Sequence, residues 1–246
     1  MSTGKKVAIT MAIMGIVISL VYGSKVYVND YYHATDKGTD ALHDTRQVTV
    51  TKEDDYYLFE PEEASDKGII FYPGGKVEET AYAPLMQSLA ESGYSVFLMR
   101  MPWRLAVFDA NAADDVIDAY PDVKEWSLMG HSLGGSMAAS YTGKHTDTVD
   151  NLILLGAYST SDLSDSGVHV LSIYGSEDNV MNWSKYEKNK KNLPEDATEY
   201  VIEGGNHAGY GCYGEQKGDG TASITQKEQQ QQVVDQFLLL QSKQEE

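Results

Sequence analysis

Apolar and polar positions follow three different rhythms along this chain. Val7 to Tyr22 is an almost unbroken apolar run, preceded by Lys5 and Lys6 and free of charge until Lys25. At about 1.5 Å per residue the run is near the shortest helix that crosses a hydrocarbon layer of roughly 30 Å, and Val26 to Val28 lengthen it. Lys6 and Lys25 are placed to snorkel outward at its ends. Asn29 to Arg46 is polar and tyrosine-bearing with no clear period, which predicts a spacer; His33 and His43 within it read as solvated. From Gln47 the pattern changes again. The expected organisation is an anchor over residues 1–28, a spacer over 29–46 and a folded domain over 47–246.

Within that domain Val48 and Val50 alternate with polar neighbours and Tyr56 to Phe59 form a second β-rich run, which predicts a hairpin. Gly68 to Tyr72 is a short, continuous apolar strand of the kind buried on both faces. A helix follows with Pro84 in its first turn, Tyr82, Leu85, Met86 and Leu89 on one side, and Gly93 as its stop. Further strands are expected at Tyr94–Arg100, in the run before Ser132, and at Leu152–Leu155, Val168–Ile173 and Glu199–Ile202. Helices are expected near Asn111–Ala119, after Ser132, and at the C-terminus, where Val233, Val234, Phe237 and Leu238 share a face. Strands alternating with helices predict an α/β fold with a mostly parallel sheet covered on both sides. Gln229 to Gln232 reads as a solvated helix face.

The N-terminal run has two readings, an uncleaved anchor and a cleavable signal peptide, and the anchor is preferred because Val21-Tyr22-Gly23 is a poor cleavage site. With the basic end inside, the domain lies outside the cytoplasmic membrane, or is secreted if the run is removed. The net charge of −18 opposes nucleic-acid binding, since phosphates need a basic surface. A single cysteine, Cys212, leaves no internal disulfide and reads as a bystander.

The candidate chemistry lies at strand ends, where such sheets bind ligands. Gly130-His131-Ser132-Leu133-Gly134 fits G-x-S-x-G, the turn that lifts a serine off a strand onto a helix. A serine hydroxyl needs an adjacent base, usually histidine, oriented by a carboxylate. In this arrangement acid and then histidine follow the serine in the chain. Of the three histidines after Ser132, His169 falls within a strand as a packing residue and His145 at a helix exit. His207 follows the last strand in Gly205-Asn206-His207 and is the preferred base. Asp178 in Gly175-Ser176-Glu177-Asp178 is the preferred acid, ahead of Glu177 and Asp162. Oxyanion donors are the backbone amides of Leu133 and of Gly75 or Lys76 in Pro73-Gly74-Gly75-Lys76. Trp103, His131 and Tyr210 are candidates for the substrate pocket, with Arg100 and Arg104 beside Trp103. Gly156 to Gly167 leaves no room for a helical cap.

On these motifs the chain resembles the α/β-hydrolase superfamily from Gly68 to Leu240, most closely the compact, lidless bacterial members similar to dienelactone hydrolases. It has serine where those enzymes use cysteine, so their substrate is not carried over. The resemblance implies a serine hydrolase of carboxylic esters or related acyl compounds, working through an acyl-enzyme with no cofactor and no metal. A small-molecule acyl substrate and the membrane are the expected partners. A surface-displayed binding module without turnover and an acyltransferase are the other readings.

Overall fold

The computed structural model describes residues 3–244. It divides into two units, Met1–Tyr31 and Tyr32–Glu246. The first is a single helix, α1 (Thr3–Asn29), whose Thr10–Asn29 segment has a mean hydropathy of 1.7 and no buried side chains. Met1 and Ser2 of the expected anchor, and the side chain of Lys6, lie outside the described residues.

The second unit is built on eight strands: β1 (Val48–Lys52), β2 (Tyr56–Pro61), β3 (Lys67–Tyr72), β4 (Ser95–Met99), β5 (Glu125–His131), β6 (Asn151–Leu155), β7 (His169–Gly175) and β8 (Thr198–Ile202). They form one sheet in the order β1-β2-β4-β3-β5-β6-β7-β8. The expected hairpin is there: β1 pairs antiparallel with β2, and β2 antiparallel with β4, while every later pairing is parallel. The central strands are buried throughout, as continuous apolar runs require when helices cover both faces.

Alternation along the strands sorts the core into two layers. Ile69, Phe71, Val96, Leu98, Ile153 and Ile173 pack with Leu85, Met86 and Leu89 of α3 (Ala83–Ala90) and with Val233 and Phe237 of a C-terminal helix, Gln226–Gln244. Ile70, Tyr72, Phe97, Leu128 and Leu154 pack on the opposite face with Val116 of α4 (Ala113–Ala119) and Ala138 and Ala139 of α5 (Leu133–Thr142). A short helix, α2 (Asp36–Asp40), precedes the sheet, and α6 (Trp183–Asn189) follows β7, so the C-terminal helix is α7.

The compact unit begins at Tyr32, ahead of the strands. Tyr32, Ala34, Ala41 and Leu42, from the stretch expected as a spacer, pack at the margin of the first core layer. Two local expectations are corrected. His169, expected as a packing residue, is the exposed first residue of β7. The glutamine run, expected on a solvated face, buries both Gln229 and Gln230. Their positions explain this: they stand four residues before Val233 and Val234, so one helical turn brings them under the same apolar stripe.

Candidate active site

β5 ends at His131, and the chain turns directly into α5 through Ser132, whose φ of 53° and ψ of −119° lie where L-residues are rarely found. Close packing on both sides enforces that turn. A Cβ on Gly134 would lie 2.2 Å from the Tyr72 carbonyl oxygen, so only glycine lets α5 approach β3 this closely. The Ser132 amide donates to the Leu155 carbonyl at 2.9 Å, tying the turn to the end of β6. The other serine of β5, Ser127, is buried and accepts from Asn151 Nδ2 at 3.1 Å, so it is a structural residue of the strand.

Asp178 follows β7 and is fully buried. Its Oδ1 accepts the amides of Val180 (2.9 Å) and Met181 (2.8 Å), while Oδ2 accepts His207 Nδ1 at 2.7 Å. A buried carboxylate needs such partners to remain ionised. Trp183 Nε1 donates to the Asp178 carbonyl at 2.9 Å and holds the turn from the other side. With Nδ1–H donated to the carboxylate, the lone pair of an uncharged ring sits on Nε2. That Nε2 is buried without a hydrogen-bond partner among the described residues.

Contacts on both sides place this ring beside the elbow. It lies on the His131 ring, centroids 4.5 Å apart, and a Cβ on Gly156 would meet His207 Nδ1 at 3.0 Å and Asp178 Oδ2 at 3.1 Å. Residue 131 immediately precedes Ser132, and residue 156 follows the carbonyl that holds its amide. The structure thus brings Ser132, Asp178 and His207 to one edge of the sheet, with no hydrogen bond yet made from the imidazole to the serine. In uncomplexed hydrolases that bond is commonly long or misaligned. Glu177 and Asp162 stay outside; Asp162 is exposed and bonded to Ser164.

Two amides of the Gly-rich turn after β3 are held within the protein: Gly74 N–H donates to Tyr82 Oη at 3.1 Å and Lys76 N–H donates to the Arg104 carbonyl at 2.8 Å. Gly75 lies against Leu133: a Cβ there would touch Leu133 Cδ2 at 2.9 Å. Leu133 is the first residue of α5, where a backbone N–H has no intrahelical acceptor.

His131 and Tyr210, expected in a substrate pocket, are closed off from solvent. Both are buried, their rings 5.2 Å apart, and Tyr210 Oη donates to the Ile173 carbonyl at 3.2 Å. Since Gly74 donates to Tyr82 Oη, the Tyr82 hydroxyl proton goes to His131 Nδ1 at 2.8 Å. Burial, and then the neighbouring His207, hold His131 well below the usual imidazole range, so it is neutral. Its Nε2 is buried without a hydrogen-bond partner among the described residues. Trp103 is 59% exposed. Arg100 is a structural residue, tied to Glu79 Oε1 at 3.3 Å and to the carbonyls of Glu53 and Asp54. Burial raises the Cys212 thiol pKa.

Two holding groups carry no sequence motif. Asp219 Oδ2 accepts the Ala208 amide at 2.8 Å and its Oδ1 accepts the Asn179 amide at 3.3 Å, bridging the residues that follow the histidine and the aspartate. Gln229 holds Asn206.

Residues 68–231 match a family model described as the alpha/beta hydrolase family. The chain belongs to that family. No curated protein matches this hydrolase in sequence. Among solved structures, it is similar to an alpha/beta hydrolase enzyme from the metagenome of lagoon sediments at Mar Chica, Morocco. That pair is 19% identical with a TM-score of 0.58, over 77% of this chain and 97% of the other. It is also similar to Est1E from Butyrivibrio proteoclasticus (14% identity, TM-score 0.55, 80% and 99% covered). The carboxylesterase CesB from Bacillus subtilis is a third (11% identity, TM-score 0.52, 70% and 88% covered). At these identities the likeness is one of fold.

Proposed function

We propose that this alpha/beta hydrolase cleaves carboxylic esters through an acyl-enzyme, with Ser132 as nucleophile, His207 as base and Asp178 as the carboxylate that orients it. The observation that carries this reading is the buried Asp178–His207 pair, its Nε2 without a partner and its ring packed on His131, the residue before a serine held in a left-handed elbow. A binding module has no use for a buried base with an open lone pair next to a strained hydroxyl.

In the reaction Ser132 Oγ attacks the acyl carbonyl as His207 Nε2 takes its proton. The imidazolium so formed is stabilised by Asp178, which keeps its two backbone donors throughout. The amides of Leu133 and Gly75 receive the oxyanion, each such donor being worth on the order of 3 kcal/mol in the transition state. His207 then protonates the leaving alcohol, and water repeats the sequence to release the acid. Family membership and the likeness to the carboxylesterase CesB support an acyl substrate.

The same reading places α1 in a membrane as an uncleaved anchor with the hydrolase unit outside the cytoplasm. Its length and hydropathy support this, as do the lysines before the apolar run. A fluorophosphonate probe tests the chemistry. Labelling is expected on Ser132 and abolished in Ser132→Ala. Activity on a small ester should fall about as far in Ser132→Ala or His207→Ala alone as in the double variant. A His207→Ala enzyme that keeps most of its activity overturns the assignment.

A further inference from the structure

Large apolar side chains are seldom left in water without a reason when they cluster. Among the described residues of the catalytic unit, those that are large, hydrophobic and exposed are Trp103 (59%), Val107 (53%), Phe108 (56%) and Leu239 (46%). Three of the four fall within six consecutive positions after β4. Trp103 and Phe108 pack edge to face, centroids 4.9 Å apart, so they form one shelf. The backbone beneath them is unusual: Trp103 and Arg104 are consecutive non-glycine residues with φ of 50° and 59°. Such conformations persist where the surroundings impose them.

Main-chain bonds tie the shelf to the glycine-rich turn and to Tyr32, where the second unit begins. Arg104 carbonyl accepts from Lys76 N–H at 2.8 Å, and Leu105, the next residue, lies beside Gly75. Lys76 carbonyl in turn accepts from Tyr32 N–H at 2.8 Å, and Tyr32 carbonyl accepts from Glu78 N–H at 2.9 Å. One ladder therefore joins Tyr32, the oxyanion turn and the aromatic shelf. Only Asp30 and Tyr31 separate Tyr32 from the last residue of α1. Whatever angle the helix takes, the covalent chain keeps its end within about 10 Å of that ladder.

We propose that Trp103, Val107 and Phe108 are a lipid-surface contact that seats the mouth of the site on the bilayer, and that the esters it cleaves are acyl lipids resident there. The proposal rests on the anchor and serine-hydrolase readings. If α1 spans the membrane, a tether this short keeps the oxyanion turn at the interface, where tryptophan and phenylalanine are favoured over charge. The protein's net charge of −18 makes attraction to anionic lipid an unsuitable driving force, so apolar insertion carries the contact. The absence of any helix between β6 and β7 leaves the shelf, rather than a cap, to meet the lipid.

The test uses the full chain in phosphatidylcholine vesicles, with brominated phosphatidylcholine as quencher. α1 contains no tryptophan, Trp126 is buried and Trp183 is half-buried with its Nε1 on the Asp178 carbonyl, so Trp103→Tyr, which keeps both, supplies the background. Expected is quenching that disappears in Trp103→Tyr. In parallel, Val107→Ser/Phe108→Ser is assayed on a water-soluble acetyl ester and on a long-chain diacylglycerol dissolved in the vesicles. Expected is soluble-ester activity within twofold of the parent and a loss of tenfold or more on the vesicle substrate. Vesicle-bound, active protein with no quenching from Trp103 overturns the contact while leaving the serine and anchor readings intact. An equal loss on both esters overturns it in favour of a subsite for the substrate's own acyl chain. Protein that fails to float with vesicles overturns the anchor and the contact together, and a Ser132→Ala enzyme still active on the acetyl ester overturns the chemistry.

Discussion

Gln229 grips the main chain of Asn206 with both ends of its amide: Oε1 accepts the Asn206 N–H at 3.1 Å and Nε2 donates to its carbonyl at 2.7 Å. Asn206 immediately precedes His207, so a buried side chain of α7 fixes the loop that carries the imidazole. Gln229→Leu leaves two backbone groups unpaired, at a cost of about 1–3 kcal/mol in stability. It should lower kcat on a soluble ester about 10- to 100-fold with little change in KM, because a base displaced by an ångström is a poor base. Gln229→Glu keeps an acceptor for the amide and should fall between. Steady-state kinetics decides; an unchanged kcat in Gln229→Leu would sink the role.

Ser132→Gly should separate stability from function. The serine's left-handed backbone costs of order 1–3 kcal/mol, and glycine relieves it at the expense of some unfolded-state entropy. A net gain of about 1 kcal/mol, or roughly 2–4 °C in Tm, is expected together with complete loss of activity. Thermal unfolding beside the parent reads the difference, and a lower Tm contradicts it.

Gly134→Ala should do the opposite. Its Cβ would stand 2.2 Å and 2.3 Å from the carbonyl oxygens of Tyr72 and Pro73, atoms that cannot move without pulling β3 and the oxyanion turn with them. Several kcal/mol of destabilisation is expected, of the kind reserved for backbone collisions. Denaturant titration of Gly134→Ala checks this, since a midpoint near that of the parent would mean that α5 can shift freely.

His131 gives a pH signature. It is neutral in the fold, its pKa lowered first by burial and then by His207, with Tyr82 and Tyr210 as its other neighbours. Below about pH 6.5 the unfolded chain binds a proton that the folded chain refuses. The folded state therefore loses stability as pH falls, with a slope approaching about 1.4 kcal/mol per unit. In His131→Asn, whose Oδ1 can still accept from Tyr82, the loss between pH 7.5 and 5.5 should be smaller by about that amount. Equal pH slopes in the two proteins would mean that His131 takes up a proton when folded.

The parts of this site that were legible in the sequence are those whose chemistry is bound to strand ends. Ser132, Asp178 and His207 each follow an apolar run at which a parallel sheet must end, and their order along the chain does the rest. The partners of the Gly74 and Lys76 amides were not legible, because every residue but proline carries an amide and nothing in the sequence says which oxygen it meets. Trp103 was visible as a residue type, but its exposure depends on two consecutive left-handed residues that no composition rule announces. Gln229 and Asp219 were hidden for another reason. Their work is to bind main-chain atoms of distant loops, and a carboxamide or carboxylate doing that looks the same in sequence as one facing solvent. The stretch before β1 shows the same limit, since Ala41 joins the first core layer and Ala34 and Leu42 pack against it without any period to announce them.

α7 ties the order of the histidine loop to the packing of the core. It contributes Val233 and Phe237 to the first core layer and Gln229 to the main chain of Asn206. A substitution that loosens this helix far from the site, at Phe237 for example, therefore also slackens the grip on Asn206, so that a defect in packing is read out as a defect in turnover.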